Sequence, residues 1–118
     1  MTEIPTSRDV AIMIIALNDA VDDAYVWLDS CEQKYALSKL DYELVIANTQ
    51  ASLIDGPRKL TVPEKDAVVK IECGDKAKVH AVEAAVVQSA QRNIQRLRLK
   101  SDLVRTLAAS VRTSMELS

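Results

Sequence analysis

The chain has 118 residues, 48% of them apolar but only 3% aromatic, with two glycines, three prolines and two cysteines. That length allows one domain at most; the aliphatic content excludes a disordered chain, and the scarcity of turn residues argues for few, long elements rather than a sandwich. The formal charge of −2 hides a split: residues 1–55 carry ten acidic and three basic side chains, residues 56–118 seven acidic and twelve basic.

From Val10 onward a 4-3 repeat runs Val10, Ile14, Leu17, Val21, Ala24, Leu28, Cys31, Tyr35, Ser38, Tyr42, Val45, Thr49, Ser52, with no Gly or Pro inside it. Such a seam predicts a first helix over about residues 7–53, capped by Thr6 or Ser7 and roughly 60–65 Å long. A helix of that length needs a partner along most of it. Asp55-Gly56-Pro57 ends it, because Pro57 lacks a donor and restricts the residue before it. The loop is set at residues 54–61. Thr61-Val62-Pro63-Glu64 then reads as a capping box, opening a short helix over about 62–72. Gly74-Asp75 either ends or bends that helix.

The last helix, about residues 76–116, repeats the seam at Val79, Glu83, Val86, Ala90, Ile94, Leu97, Ser101, Val104, Ala108, Val111 and Met115. Two long helices around a short break make an antiparallel hairpin the economical fold. One stripe is left over. Leu99, Leu103 and Leu107 lie more than 90° from the seam, and Ile12, Ile15 and Trp27 are likewise off the first helix's seam. Leaving each leucine in water forgoes about 1.5–3 kcal/mol. The surplus therefore reads either as a wide core face around a third helix, Val62 to Glu72, or as an oligomer contact, the reading taken because 62–72 looks too short to cover both rods.

Between Ala84 and Arg112 six basic residues face one acidic residue, Asp102. Arg98, Arg105 and Arg112 form one stripe, and Arg92, Arg96 and Lys100 another. The plain account of the first stripe is pairing with carboxylates of the first helix: Asp19, Asp22, Asp23, Asp29, Glu32, Asp41 and Glu43. The functional account is an anionic partner, to which the loop residues Arg58 and Lys59 would add charge in a way that is salt-sensitive and indifferent to base sequence. Tyr35 and Tyr42 fall on the seam and read as core rather than as stacking platforms. His80 is expected at the surface or near a cap.

Cys31 and Cys73 have no metal-ligand spacing, and Cys31 reads as a small seam filler in a reduced protein. The longest apolar run, Val10 to Leu17, is too short for a membrane span, and no leader pattern surrounds it. A cytoplasmic protein is expected, without membrane, metal or cofactor. Nothing reads as a catalytic constellation, so no enzyme is expected.

Three stretches carry a resemblance: Lys34-Tyr35-Ala36-Leu37-Ser38-Lys39-Leu40-Asp41-Tyr42-Glu43, Thr61-Val62-Pro63-Glu64-Lys65, and Leu97-Arg98-Leu99-Lys100-Ser101-Asp102-Leu103-Val104-Arg105-Thr106-Leu107. Over about residues 20–115 the chain resembles the UvsY-like recombination mediators and related small helical phage proteins. The resemblance implies an oligomeric ring that binds single-stranded DNA and helps load a RecA-type recombinase inside a host cell. It implies DNA contacts near the end of the long helix, where this chain has Asn48, Thr49, Gln50, Ser52 and Asp55, followed by Arg58 and Lys59 in the loop.

The expected protein is therefore an all-α, single-domain hairpin over residues 1–118, with a short middle helix, assembled as an oligomeric helical bundle. Its expected function is non-enzymatic, that of a phage recombination mediator binding single-stranded DNA through Arg58, Lys59, Arg92, Arg96 and Lys100. Leu99, Leu103, Leu107, Ile12 and Ile15 are its expected oligomer contacts. The alternative is a protein-binding adaptor or an anti-defence or host-takeover oligomer, one form of which sequesters a small anionic ligand.

Overall fold

A computed structural model of the chain describes residues 6–54, 56 and 59–117. They form three helices, α1 (Ser7–Ile54), α2 (Val62–Glu72) and α3 (Gly74–Leu117), and no strand among the described residues. Thr6 caps α1: its backbone N–H donates to Asp9 Oδ2 at 3.0 Å, and the Asp9 N–H donates to its hydroxyl at 3.2 Å. These bonds, the backbone one foremost, hold the Asp9 carboxyl below its ordinary pKa. The first turn is thus tightened above the ordinary carboxylate pKa and loosened as pH falls through the lowered value.

Past Ile54, Gly56 lies close to the end of α1; a Cβ built on it would sit 3.3 Å from the Ser52 carbonyl oxygen. The capping box expected from Thr61 and Glu64 is formed. The Glu64 N–H donates to Thr61 Oγ1 at 3.4 Å, and the Thr61 N–H donates to Glu64 Oε1 at 3.5 Å, with Pro63 in the first turn. The break between α2 and α3 is a single residue, Cys73. Its N–H still donates to the Val69 carbonyl and its own carbonyl accepts from Ala77, each at 2.9 Å. The helical ladder therefore resumes at once beyond it, and Gly74 is already the first residue of α3.

The chain divides into two compact units, and α1 and α3 each contribute a segment to both. In the first, residues 6–28 lie antiparallel to 89–117: Ser7 Oγ donates to Met115 Sδ at 3.0 Å, while the later Tyr25 meets the earlier Arg98. In the second, residues 29–54, 59–72 and 74–88 pack likewise. Tyr35 and Tyr42 meet His80, and Thr49 Oγ1 lies 3.8 Å from Cys73 Sγ. The fold class is the all-α antiparallel helical hairpin with a short third helix.

The heptad seams form these packing faces. Every α1 seam position from Val10 to Thr49 is buried or half-buried, and so is every α3 seam position from Glu83 to Val111. Ser52, Val79 and Met115, at the ends, are exposed. The most buried α1 positions, Val10, Ala24, Cys31 and Ser38, recur at multiples of seven. Small side chains there, with Ala90 on α3, let packed helices approach closely. Ser38 is the buried polar one, and it donates its hydroxyl to the Tyr35 carbonyl at 2.8 Å. Both cysteines are free and buried, Cys31 as the filler its seam position indicates. No described helix is long and apolar enough to cross a membrane.

Candidate helix-face binding surfaces

The geometry of the site begins with where the α1 carboxylates point. At about 100° per residue, Asp19, Asp22 and Asp23 lie on the side of α1 opposite its seam, and all three are exposed. They are turned away from α3 of their own chain. These three do not pair with the α3 arginines, and among the described residues no other α1 carboxylate forms a salt bridge with them either. Among the described residues Arg98 instead lies over the Tyr25 ring, 5.3 Å from its centroid, and Arg105 pairs at 3.9 Å with Asp102 of its own helix. The Arg105 pair is solvent-exposed and contributes at most a few tenths of a kcal/mol.

Arg92, Arg96 and Lys100 are exposed on α3, and no carboxylate among the described residues forms a salt bridge with them. By the same helical reckoning Leu103 lies between Arg92 and Arg96 and Leu99 just beyond Arg92, so all five share one arc of about 100°. The basic stripe and the surplus leucine stripe are one surface. Leu99 and Leu103 are 65% and 70% exposed, whereas Leu107, at the arc's far end, is half-buried. On α1, Ile12 and Ile15 are 57% and 61% exposed and share the outward side with Asp19, Asp23 and Val26. Beside these faces, within the first unit, a groove of about 420 Å³ is lined by Met13, Ala16, Leu17, Lys100, Leu103 and Val104. Its walls are aliphatic, with one ammonium at the rim.

Lys59 is exposed just before α2 in the second unit. Arg58 lies outside the described residues. The second unit also carries exposed apolar residues that the seam pattern does not single out: Leu37, Leu40 and Leu44 on α1. Their spacing of three and four repeats the heptad signal on the back of the helix, where the stronger front seam masks it.

His80 sits between helices rather than at the surface. It is half-buried, stacked on Tyr35 at 4.9 Å and 25° and near Tyr42 at 5.8 Å and 14°, with Nδ1 3.5 Å from Ser38 Oγ. Both tyrosines are thus packing residues. Ring pairs of this kind contribute about 0.5–1.5 kcal/mol each beyond area burial. His80→Ala is therefore expected to lower stability by roughly 1–3 kcal/mol, and His80→Phe to restore most of it. Equal denaturation midpoints for wild type and His80→Ala would show that the stack contributes nothing.

Comparison of the chain with protein-family models, with curated proteins and with solved structures finds no match.

Proposed function

We propose that the protein is a non-enzymatic binding subunit that works as an oligomer, an adaptor whose outward helix faces hold protein surfaces. One observation carries this: both long helices leave a second apolar stripe in water. The chain exposes 9222 Å², against roughly 6,300 Å² for a folded monomer of 13.0 kDa. Six apolar residues are buried among those described, while Ile12, Ile15, Leu99 and Leu103 stay exposed. Stripes of that kind on a folded chain mark interaction surfaces.

A second reading is a single-stranded-DNA-binding recombination mediator of phage origin, working in a host cytoplasm beside a RecA-type recombinase. The exposed cations Arg92, Arg96, Lys100 and Lys59 favour it, since no carboxylate of the described chain neutralises them. Arg58 would join them from the loop.

Molar mass in solution, measured over a range of concentrations at low salt with and without a long single strand, tests both. The adaptor reading expects a mass several times that of one chain without nucleic acid. A monomer at every concentration would sink it. The mediator reading expects binding that weakens steeply with salt, since each phosphate contact adds about 0.7 to the slope of log affinity on log salt. No detectable binding at low salt, where screening is weakest, removes that reading.

A further inference from the structure

We infer that the occupant of the basic α3 face is the acidic α1 face of a second copy of this chain, docked antiparallel. This rests on the adaptor reading and names its partner. Both faces belong to the first unit, and each carries exposed apolar side chains beside charges: Ile12, Ile15 and Val26 with Asp19 and Asp23 on α1, where Arg8 lies one turn before Ile12, and Leu99 and Leu103 with Arg92, Arg96 and Lys100 on α3. On α1 the order is Ile12, Ile15, Asp19, Asp23; on α3, read backwards, it is Leu103, Leu99, Arg96, Arg92. Each set advances in steps of three and four and spans about three helical turns, roughly 16 Å. Laid antiparallel, the two sets bring Ile12 to Leu103, Ile15 to Leu99, Asp19 to Arg96 and Asp23 to Arg92. Lys100 falls beside the Ile15 level, on the rim.

Like faces do not serve each other. Two α1 faces would set Asp19 and Asp23 against their own copies, and two α3 faces would do the same with Arg92, Arg96 and Lys100. Opposite charges placed this way select the partner and its register. A standard interface takes about 800 Å² from each partner, and a chain of this mass with 9222 Å² exposed has area for two. Exchanged reciprocally between two copies, the two faces close a two-fold dimer; passed on from copy to copy, they make a ring or a filament.

Charge reversal tests the pairing. One variant carries Asp19→Lys with Asp23→Lys, and the other Arg92→Glu with Arg96→Glu. Mass is read by light scattering and folding by circular dichroism, at a salt concentration where wild type is assembled. Each variant alone is expected to fall to monomer mass with its helicity kept. An equimolar mixture is expected to reassemble, because each reversed face then finds its complement on the other chain, with the two chains alternating in an even-numbered assembly. If either variant loses helicity alone, recovery of helicity and mass together on mixing supports the pairing equally.

Wild-type mass in either variant overturns the pairing, and so does a failure of the mixture to recover. If Arg92→Glu with Arg96→Glu keeps its mass but loses a long single strand, the face serves nucleic acid instead. A monomeric wild type removes the adaptor reading itself, whereas an assembled wild type indifferent to both reversals removes only this pairing.

Discussion

Leu103→Glu is expected to turn the assembled protein into a helical monomer. Leu103 is largely exposed on its own chain, so within one copy the change replaces one solvated side chain by another and leaves the helix seam untouched. The effect arises only where a second surface covers it. There the substitution forfeits about 1.5–3 kcal/mol of leucine burial, and it asks a carboxylate to leave water, at a further several kcal/mol. At about 1.4 kcal/mol per factor of ten, the dissociation constant rises by at least 10²-fold. Ala109→Glu is the control. It is exposed on α3 too, but outside the arc shared by Arg92, Arg96, Leu99, Lys100 and Leu103, and its mass is expected to match wild type. Sedimentation of the two variants decides the matter. An assembled Leu103→Glu would show that this stripe faces solvent in the oligomer as well as in the chain.

How much of the fold is legible in the sequence depends on which signals are local. The capping box at Thr61 and Glu64 spans four residues, and it forms as its spacing predicts. The 4-3 seam repeats so often that its register survives small departures, and the buried and half-buried positions follow it from Val10 to Thr49. Pairing across the hairpin is less legible, because one helix's period does not say which residue stands opposite on the other. His80 is the clearest case: nothing around it in sequence signals that Tyr35 and Tyr42, some forty residues earlier, will enclose its ring. The arginine stripe misleads for a different reason. Charge along the sequence suggests that Asp19, Asp22 and Asp23 attract Arg98 and Arg105, but attraction requires facing, and these carboxylates look outward. The same azimuths that remove that pairing leave an acidic face on α1 and a basic one on α3. For the candidate site, therefore, the residue types are readable while the grouping is not: Arg92, Arg96 and Lys100 read as a stripe apart from Leu99 and Leu103, with which they share one surface.

Ile94→Ala is expected to have the largest effect on the chain's own stability. Ile94 is 5% exposed on the α3 seam, and it is the bulkier of the two buried aliphatics among the described residues of that helix, the other being Ala90. Removing three carbons from such a site loses their transfer energy and leaves a void that the helix backbone does not close, at about 2–5 kcal/mol. Few other buried residues among those described can compensate, and the total for a domain is only about 5–15 kcal/mol. The loss therefore corresponds to a fall in melting temperature of roughly 10 °C or more. Leu99→Ala removes a similar volume from an exposed position on the same helix, so the dilute chain should lose under about 0.5 kcal/mol. Denaturant midpoints taken at two protein concentrations separate the two roles. The Ile94→Ala deficit should persist at the lower concentration, where association contributes least, while any Leu99→Ala deficit should shrink there. A midpoint for Ile94→Ala no lower than that for Leu99→Ala in the dilute sample would mean that the seam through Ile94 is not what holds α1 and α3 together in the first unit.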